Sequence, residues 1–477
     1  MEFETVIGLE VHCELKTQSK IFCTCRNKFT AEPNRHCCPV CNGYPGVLPV
    51  LNKRAVEYTI MAGLALNCDI AKLSRFDRKH YFYPDLSKSY QTSQLDYPLC
   101  KRGRVDITVD GKRKSVRINR IHLEEDAGKL VHSEWGNGTL VDYNRGAVPL
   151  IEIVTEPDIN SADEAVAFLE SIKTILKYTG VSDCKMEEGS LRCDVNLSIR
   201  PKGSTGFGVR TEMKNLNSFR AVHRSILYEG KRHAEVLRSG GELVQETRRW
   251  DDEQGVSLSM RTKEDAIDYK YFPDPDLMPL VLTDEYIESL RAHIPELPEK
   301  RKERYVSEYG LPEYDADVLT SDKAVADFFD SCAKDYDNRK ALSNWVMSDV
   351  LRKIKESGLG EDEPIPVSPA NFVKLLKLYD GKVISQNAAR MVLDEIWQND
   401  RDPAEVVEKM GLKQITDEGE LLKMVKEIIQ SNPGPVADYK AGNKKALAFF
   451  VGQIMKATKG KANPQKVNEL LVKELES

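Results

Sequence analysis

The stretch from Met186 to Asn217 constrains the fold most strongly, because apolar and polar residues alternate along it in two separate runs. The first run covers residues 191–200 and is typical of a strand that buries one face. The alternation resumes at residues 209–214 after a segment rich in turn formers, so we predict an antiparallel hairpin. Its polar face could hold a metal–nucleotide complex, or it could be a solvated face with ion pairs. That face carries Arg192, Asp194, Arg210, Glu212 and Lys214.

Three other segments carry acidic side chains, and two of these segments are predicted strands. Residues 1–15 alternate, so Glu10 and His12 project from the same face. Glu152 lies between isoleucines in an apolar strand, and a buried carboxylate needs a metal or a cation as partner. Three adjacent acids at residues 124–126 form either a solvated cluster or a group with one member pointing inward. Carboxylates and an imidazole are the ligands expected for Mg²⁺ or Mn²⁺. The candidate ligands are Glu10, His12, Glu125, Glu152, Asp194 and Glu212.

Residues 23–41 contain a cysteine pattern typical of a four-thiolate zinc site. Cys23 and Cys25 form the first pair, and Cys38 and Cys41 form the second, although Cys37 could replace Cys38. The N-terminus has no signal-peptide pattern, so we expect a reducing cytoplasm, where clustered cysteines bind metal more often than they form disulfides. The alternative is a group of reduced structural cysteines. Four-sulfur sites are normally closed, so we expect this zinc to be structural.

Residues 76–94 interleave cations with aromatic residues, a combination that suits a nucleobase or a phosphorylated ligand. The alternative is an aromatic-rich loop that packs on a sheet. The residues concerned are Arg78, Lys79, His80, Tyr81, Phe82, Tyr83, Lys88 and Tyr90.

The strand patterns stop near His293, and helical patterns follow to the end of the 477 residues. We therefore predict an α+β fold in which a large, mainly antiparallel-sheet cradle domain (1–293) precedes an all-α helical domain (294–410) and a small helical tail domain (411–477). No apolar run approaches 18 residues, so no membrane span is expected. The net charge of −6 does not suggest a generic nucleic-acid binder.

The tail domain nevertheless has a basic character, since residues 438–477 contain eight lysines against four acids. Lysines crowded on short helices suit contact with a phosphate backbone, although a solvated helical face would look similar. The lysines concerned are Lys440, Lys444, Lys445, Lys456, Lys459 and Lys461.

The chain lacks the glycine-rich loops of common nucleotide-binding folds and the G-x-S-x-G motif of serine hydrolases. A nucleotide site in this chain must therefore rely on metal and side chains, and a nucleophilic hydrolase is not expected.

Several long motifs resemble the B subunit of the tRNA-dependent aspartyl/glutamyl amidotransferase, the GatB/GatE family. They follow one another along essentially the whole chain and include GLEVHCELKT, FDRKHYFYPD, HLEEDAGK, PLIEIVTEPD, EMKNLNS and DYKYFPDPDL. Ser87 departs from the family, which usually has proline there. The archaeal GatE insertion has no counterpart, so the bacterial or organellar type fits better.

The resemblance implies a kinase-like amidating enzyme. It would use ATP to phosphorylate the side-chain carboxylate of Glu-tRNA(Gln) or Asp-tRNA(Asn), and ammonia would then displace the phosphate. The resemblance also implies a heterotrimer, in which the amidase-type glutaminase GatA supplies ammonia and the small protein GatC clasps the pair. Magnesium would use the six ligands named above, and the lysine-rich tail would bind the tRNA body. The catalytic roles it implies fall on Arg78, Lys79 and Glu125, and the nucleotide contacts on Arg78, Lys79, Tyr81, Tyr83 and Lys88.

Two rival functions remain at this level. The chain could be a non-catalytic tRNA-binding module whose acids are structural, or a hydrolase that uses the cysteine-bound zinc. Turnover of ATP that depends on misacylated tRNA separates the first rival, and an open coordination position on zinc would favour the second.

Overall fold

A computed structural model of the chain describes residues 2–30, 32–132, 136, 138–262, 269–360, 363–415, 418–458 and 461–476. The chain divides into two compact units, Met1–Lys300 and Arg301–Ser477. Within the described ranges, no helix combines the length and the apolar character that a membrane crossing requires.

The strands of the described residues all belong to the first unit. They are β1 (Phe3–Glu14), β2 (Asp69–Ile70), β3 (Leu73–Ser74), β4 (Asp77–His80), β5 (Tyr90–Ser93), β6 (Cys100–Val109), β7 (Lys112–Glu125), β8 (Lys129–His132), β9 (Thr139–Asp142), β10 (Pro149–Thr155), β11 (Leu191–Pro201), β12 (Thr211–Leu216), β13 (Glu246–Asp251), β14 (Val256–Thr262), β15 (Lys270–Pro273) and β16 (Leu280–Val281).

Nine of these strands form one sheet in the order β14-β13-β12-β11-β1-β10-β7-β6-β2, and three others form a small sheet in the order β15-β4-β5. The predicted hairpin is present as the antiparallel pair β11–β12. The predicted mainly antiparallel sheet is confirmed, with one exception: β12 and β13 run parallel. A parallel pair needs a crossover connection, and a 20-residue helix supplies it here.

The helices of the first unit are α1 (Lys53–Ala65), α2 (Ala162–Thr179), α3 (Phe219–Arg238) and α4 (Asp284–Arg291), and α5 (Pro298–Ser307) spans its end. The first three helices share one hydrophobic core with the large sheet, so they cover one of its faces. That core contains Ile7 and Leu9 of β1, Phe168 of α2 and Val222 of α3. The opposite face is therefore free to carry polar side chains.

Local sequence signals account for the helix ends. The Ser161 side chain accepts a hydrogen bond from the Glu164 amide at the start of α2, as an N-cap serine does. Gly180 ends the same helix with φ of 71°, a left-handed conformation that glycine adopts at little cost. In α3, Ser218 caps the first turn in the same way.

The second unit is helical throughout its described part. Its further helices are α6 (Glu313–Thr320), α7 (Lys323–Ala333), α8 (Arg339–Trp345), α9 (Leu351–Ser357), α10 (Pro369–Asp380), α11 (Gln386–Asn399), α12 (Pro403–Lys409), α13 (Glu418–Ser431), α14 (Pro433–Lys440), α15 (Ala446–Ala457) and α16 (Pro464–Glu476). A π-helical turn, Val346–Val350, joins α8 to α9.

This unit has two separate hydrophobic cores, one built from residues 305–407 and one from residues 421–475. The predicted succession of an α+β region and a helical region is thus confirmed. The domain limits at 293/294 and 410/411 stay predictions.

Candidate functional site

The uncovered face of the large sheet gathers acidic side chains from neighbouring strands. Glu10 lies directly opposite Asp194 in the register of β1 with β11, and His12 lies opposite Glu152 in the register of β1 with β10. Because side chains on one strand alternate between faces, these four share the same face. The buried neighbours of Glu10 on β1, such as Leu9 and Val11, point into the core instead.

One group on this face, here called the carboxylate cluster, consists of Glu10, Asp194 and Glu212. One oxygen from each of the three side chains lies within 4.8 Å of the others. Asn196 donates a hydrogen bond to Glu10 at 2.9 Å, and Thr247 donates one to Glu212 at 2.8 Å. The three acids come from β1, β11 and β12, so strand pairing positions them and the two neutral donors orient their carboxylates.

A second group, here called the histidine cluster, consists of His12, Glu124 and Glu152, whose candidate ligand atoms also lie within 4.8 Å of one another. His12 Nε2 is 3.3 Å from a Glu152 oxygen. The buried His122 lies between the two acids, 3.2 Å from Glu124 and 3.6 Å from Glu152, and Ser93 donates a hydrogen bond to Glu124 at 3.0 Å.

The mutual electrostatics of these groups are strong. Burial first, and then the charges of Glu152, Glu212 and Asp194, raise the pKa of Glu10 above its ordinary value. Burial alone would lower the pKa of His12, but the hydrogen bond and charge of Glu152 outweigh it and raise that pKa to about 9. The face therefore carries an excess of negative charge that a cation would relieve.

Both clusters fit a divalent metal by the chemistry of their donors. Three carboxylates suit a hard cation such as Mg²⁺, and an imidazole with two carboxylates also suits Mn²⁺. In the carboxylate cluster, Lys214 already donates hydrogen bonds to Asp194 and, at 2.9 Å, to Glu212. A cation is thus the natural partner of this group of acids.

Of the six predicted magnesium ligands, the structure brings five into these clusters and leaves Glu125 outside them. The adjacent Glu124 takes that place. On β7, Glu124 shares a face with His122, whereas Glu125 points to the opposite face. There Glu125 accepts hydrogen bonds from Lys88 and, at 2.8 Å, from the Thr92 amide.

A cavity of about 260 Å³ opens beside the carboxylate cluster. Its floor includes Gly8 and Ser198, and Glu10 and Asn196 lie at one end. Phe207 and other residues of the loop between β11 and β12 complete the wall, and the Phe207 side chain is 72 % exposed. The cavity thus offers a flat aromatic surface and small floor residues next to a candidate metal site. It is lined by Val6, Gly8, Leu9, Glu10, Val154, Thr155, Pro157, Asn196, Ser198, Phe207, Gly208 and Arg210.

The predicted phosphate-binding pair, Arg78 and Lys79, is divided between two faces of β4, because consecutive strand residues alternate. Arg78 forms ion pairs with Asp274 at 3.1 Å and Asp276 at 2.7 Å. Lys79 instead lies over the Tyr269 ring, 4.6 Å from its centroid. Arg78 therefore has carboxylate partners in place, while Lys79 lies among aromatic rings, those of Tyr81 and Tyr269.

Two tyrosines near Lys79 lie within electrostatic reach of the histidine cluster. Tyr271 pairs with Lys79 across β15 and β4, and burial together with the charges of Glu124 and Glu152 raises the pKa of Tyr271 to about 12. Burial, and then nearby carboxylates that include Glu124, likewise raise the pKa of Tyr81. Tyr83 is 51 % exposed and lies after β4.

Lys88 lies with Glu125, apart from the histidine cluster. It pairs with Glu125, and its Nζ is 4.8 Å from the centroid of the Tyr90 ring. Lys88, Glu125, Asp274 and Asp276 line a second cavity of about 150 Å³ that reaches the cysteine segment.

The four predicted zinc ligands, Cys23, Cys25, Cys38 and Cys41, come together with their sulfurs within 4.8 Å of one another. Cys37 is not part of this group, which favours Cys38 over Cys37 as the ligand. The Cys23 thiol, the Cys38 amide and the charge of Lys20 together lower the pKa of Cys41 to about 5 against the effect of burial. Four thiols suit a closed tetrahedral zinc site with no position left for a reacting water.

Two neighbours support this group. Lys20 is fully buried, and its Nζ lies 3.8 Å from the Cys41 sulfur, where it offsets the charge of thiolates. Ser87 donates a hydrogen bond to the Cys41 carbonyl at 2.8 Å. Proline, the usual residue of the family at this position, has no hydroxyl and could not make this contact.

The predicted tRNA-binding lysines lie in the second unit. Lys440 ends α14, Lys444 and Lys445 lie in the turn that follows, and Lys456 lies on α15; all four are exposed. Lys461 is half-buried, and Lys459 lies outside the described residues.

Several residues of the site were not predicted from the sequence. Strand register brings most of them to the site. Glu124 and His122 reach the face of His12 because the register of β7 with β10 sets His122 opposite Glu152. Thr247 reaches Glu212 because β13 pairs in parallel with β12, and no local sequence pattern predicts this pairing. The signal for Asn196 was available, since it lies on the polar face of the predicted hairpin.

Known proteins match the chain along most of its length. Residues 5–288 match the profile of the GatB/GatE catalytic domain, and residues 327–475 match that of the GatB domain. The chain is 60 % identical over 478 residues to a protein of Caldicellulosiruptor bescii, with 100 % of both chains covered. It is 58 % identical over 475 residues to one of Thermoanaerobacter pseudethanolicus, again with 100 % of both covered. A protein of Brevibacillus brevis is 52 % identical over 476 residues, which cover 100 % of this chain and 99 % of the relative. All three relatives are named as the B subunit of an aspartyl/glutamyl-tRNA(Asn/Gln) amidotransferase.

Proposed function

Because the chain belongs to the GatB/GatE family, we propose that it is the amidating subunit of a tRNA-dependent amidotransferase. It converts misacylated Glu-tRNA(Gln) or Asp-tRNA(Asn) into Gln-tRNA(Gln) or Asn-tRNA(Asn). ATP phosphorylates the side-chain carboxylate, and ammonia derived from glutamine displaces the phosphate. A carboxylate is a poor electrophile, and the acyl phosphate supplies the leaving group that it lacks.

The observation that carries this proposal is the pair of adjacent three-ligand clusters on one open sheet face, beside a cavity of about 260 Å³. A divalent cation held by such acids would supply positive charge that neutralises the charge developing during phosphoryl transfer. Carboxylates on rigid neighbouring strands hold their positions better than loop residues would.

The cavity beside the carboxylate cluster suits the base and sugar of ATP. Phe207 offers a ring face for stacking, and the floor at Gly8 leaves room for a flat group. With the base in this cavity, the phosphates extend toward Glu10 and its partners. Arg210 lies at the wall and adds a positive charge for the phosphate chain.

The substrate carboxylate then approaches from the side of the histidine cluster. Lys79 with Tyr81 and Tyr271 forms the polar and aromatic wall on that side. The Lys79 ammonium attracts and orients the anionic side chain of the misacylated residue, and the tyrosine hydroxyls can donate hydrogen bonds to it.

We further propose the assembly that the family resemblance implies. The glutaminase GatA supplies ammonia, the small protein GatC completes the heterotrimer, and the complex works in the cytoplasm. The exposed lysines of α14 and α15 bind the phosphate backbone of the tRNA body. The four-cysteine group binds zinc as a structural brace, since its donor set is closed.

The test is ATP hydrolysis by the reconstituted heterotrimer with and without Glu-tRNA(Gln) or Asp-tRNA(Asn). We expect turnover that requires the misacylated tRNA. Asp194→Ala and Glu212→Ala should abolish phosphorylation while glutaminase activity is at least partly retained. Their matched control is Asp163→Ala, which removes an acid of α2 whose side chain is 69 % exposed.

A complete complex that binds misacylated tRNA but never turns over ATP would contradict the kinase role. It would leave the chain as a tRNA-binding module.

A further inference from the structure

Lys214 lies inside the carboxylate cluster, among the acids that a metal would use. It follows Glu212 by two residues on β12, so both side chains emerge on the same face. Its ammonium donates hydrogen bonds to Asp194 and, at 2.9 Å, to Glu212. Two of the three cluster acids thus hold an internal cation.

A divalent metal at this cluster would need the same carboxylates. Mg²⁺ binds carboxylate oxygens at about 2.0–2.1 Å and demands near-ideal geometry. An ammonium that remained bonded to those oxygens would lie a few ångströms from the metal and repel it. The ammonium and the metal therefore compete for Asp194 and Glu212.

The Lys214 side chain is free enough to move away from the two carboxylates. Its side chain is 34 % exposed, against 19 % for Asp194 and 23 % for Glu212, so its flexible stem borders open space. The cavity beside Glu10 and Asn196 opens next to the cluster.

We propose that Lys214 is a stand-in cation, which neutralises the carboxylate cluster before metal binds and turns to the nucleotide phosphates once metal takes its place. The first half of this inference rests on the cluster alone. The second half rests on the proposed function, because it requires a phosphorylated ligand beside the cluster. A lysine ammonium is a compact point charge that suits phosphate oxygens.

The two proposed positions of the Lys214 ammonium, at the carboxylates and at the phosphates, predict opposite effects of one substitution. Without nucleotide, Lys214→Met removes the competing cation, so the full-length chain should bind Mn²⁺ about fivefold more tightly than the wild type. With saturating Mn²⁺, the same variant should bind a non-hydrolysable ATP analogue about tenfold more weakly, because a phosphate contact is lost. Electron paramagnetic resonance of free Mn²⁺ measures the first affinity, and calorimetry measures the second.

Two controls assign the effect to this cluster. Lys231→Met removes an exposed lysine of α3 and should change neither affinity. In the Lys214→Met/Asp194→Asn double variant, the gain in Mn²⁺ affinity should disappear, because one of the contested ligands is gone.

Lys214→Arg keeps the charge and guards against a failure of the methionine variant to fold. It should bind Mn²⁺ no more tightly than the wild type and should recover part of the affinity for the ATP analogue. Unchanged or weaker Mn²⁺ binding by Lys214→Met would overturn the stand-in role and indicate a purely structural lysine. Unchanged binding of the ATP analogue would overturn the turn toward phosphate. Because Mn²⁺ binding is measured without ATP or tRNA, the first outcome is independent of whether the chain is a kinase.

Discussion

Glu229 is a fully buried acid beneath the site, and Glu229→Gln offers a quantitative test of the fold around it. Its carboxylate lies on α3 and pairs with Arg232, and it accepts a hydrogen bond from Ser257 at 2.8 Å. His233 Nε2 lies 3.2 Å from the same carboxylate and 2.8 Å from the Thr211 hydroxyl. The network therefore joins α3 to β12, the strand that carries Glu212 of the carboxylate cluster.

The magnitude follows from the pKa of Glu229. Burial alone would raise this pKa, but the hydrogen bonds from His233 and Arg232 and the charge of Arg232 lower it from 4.5 to about 2. Each pKa unit corresponds to about 1.4 kcal/mol, so the native state favours the charged carboxylate by about 3 kcal/mol. Removing one partner of a buried ion pair costs about 3–5 kcal/mol, which is of the same size.

The pH dependence has a definite sign. A carboxylate whose pKa is lower in the folded state stabilises the protein above its unfolded pKa, and this contribution disappears as the pH falls through the folded value. The wild type should therefore exceed Glu229→Gln in unfolding free energy by about 3 kcal/mol at neutral pH, and the difference should shrink between pH 4.5 and pH 2. Urea unfolding at a series of pH values measures it.

Glu235→Gln is the matched control, because Glu235 is an exposed acid of the same helix. Its unfolding curves should follow those of the wild type at every pH. A difference between wild type and Glu229→Gln that stays constant from about pH 7 to about pH 2 would refute the electrostatic role of Glu229, since a constant cost would come from packing and not from the charge.

The site yields three further predictions. Glu124→Gln should weaken Mn²⁺ binding about tenfold, as loss of a ligand or its support does, while Glu125→Gln should leave it unchanged; calorimetry distinguishes the two. Cys38→Ser should lose zinc and lower the melting temperature, whereas Cys37→Ser should retain one zinc per chain by elemental analysis. Replacing three exposed tail lysines by alanine should weaken tRNA binding and reduce the slope of log affinity against log salt by about 2, and an unchanged slope would contradict phosphate contact. These lysines are Lys440, Lys444 and Lys445.

Periodicity was sufficient to predict three strands of the site, β1, β11 and β12. The alternation at residues 191–200 and 209–214 predicted an antiparallel pair, and the structure has it as β11 and β12. Alternation also placed Glu10 and His12 on one face of β1. These predictions succeeded because a half-buried sheet forces a period of two on any strand within it.

Periodicity could not predict which strands become neighbours or in what register. Glu124 and Glu125 are adjacent, and only the pairing of β7 with β10 decides which of them faces His12. Arg78 and Lys79 are likewise adjacent, and the short strand β4 sends them to opposite sides. Long-range pairing is set by the packing of the whole sheet, and a single sequence does not carry that information locally.

The charges of the assembled face imply an order of binding. The two clusters hold five carboxylates. Lys214, a protonated His12 and Arg120, which lies 3.8 Å from Glu152, offset three of those charges, which leaves up to two negative charges in a small area. ATP and the substrate carboxylate are both anions, so the face would repel them if it met them in this state. Divalent cations would reverse that balance at the clusters, so in the proposed function they would serve the binding of the nucleotide as well as the transfer step. This ordering also explains why an internal lysine is useful here: it lets the strands carry their acids together in the folded chain before any metal arrives.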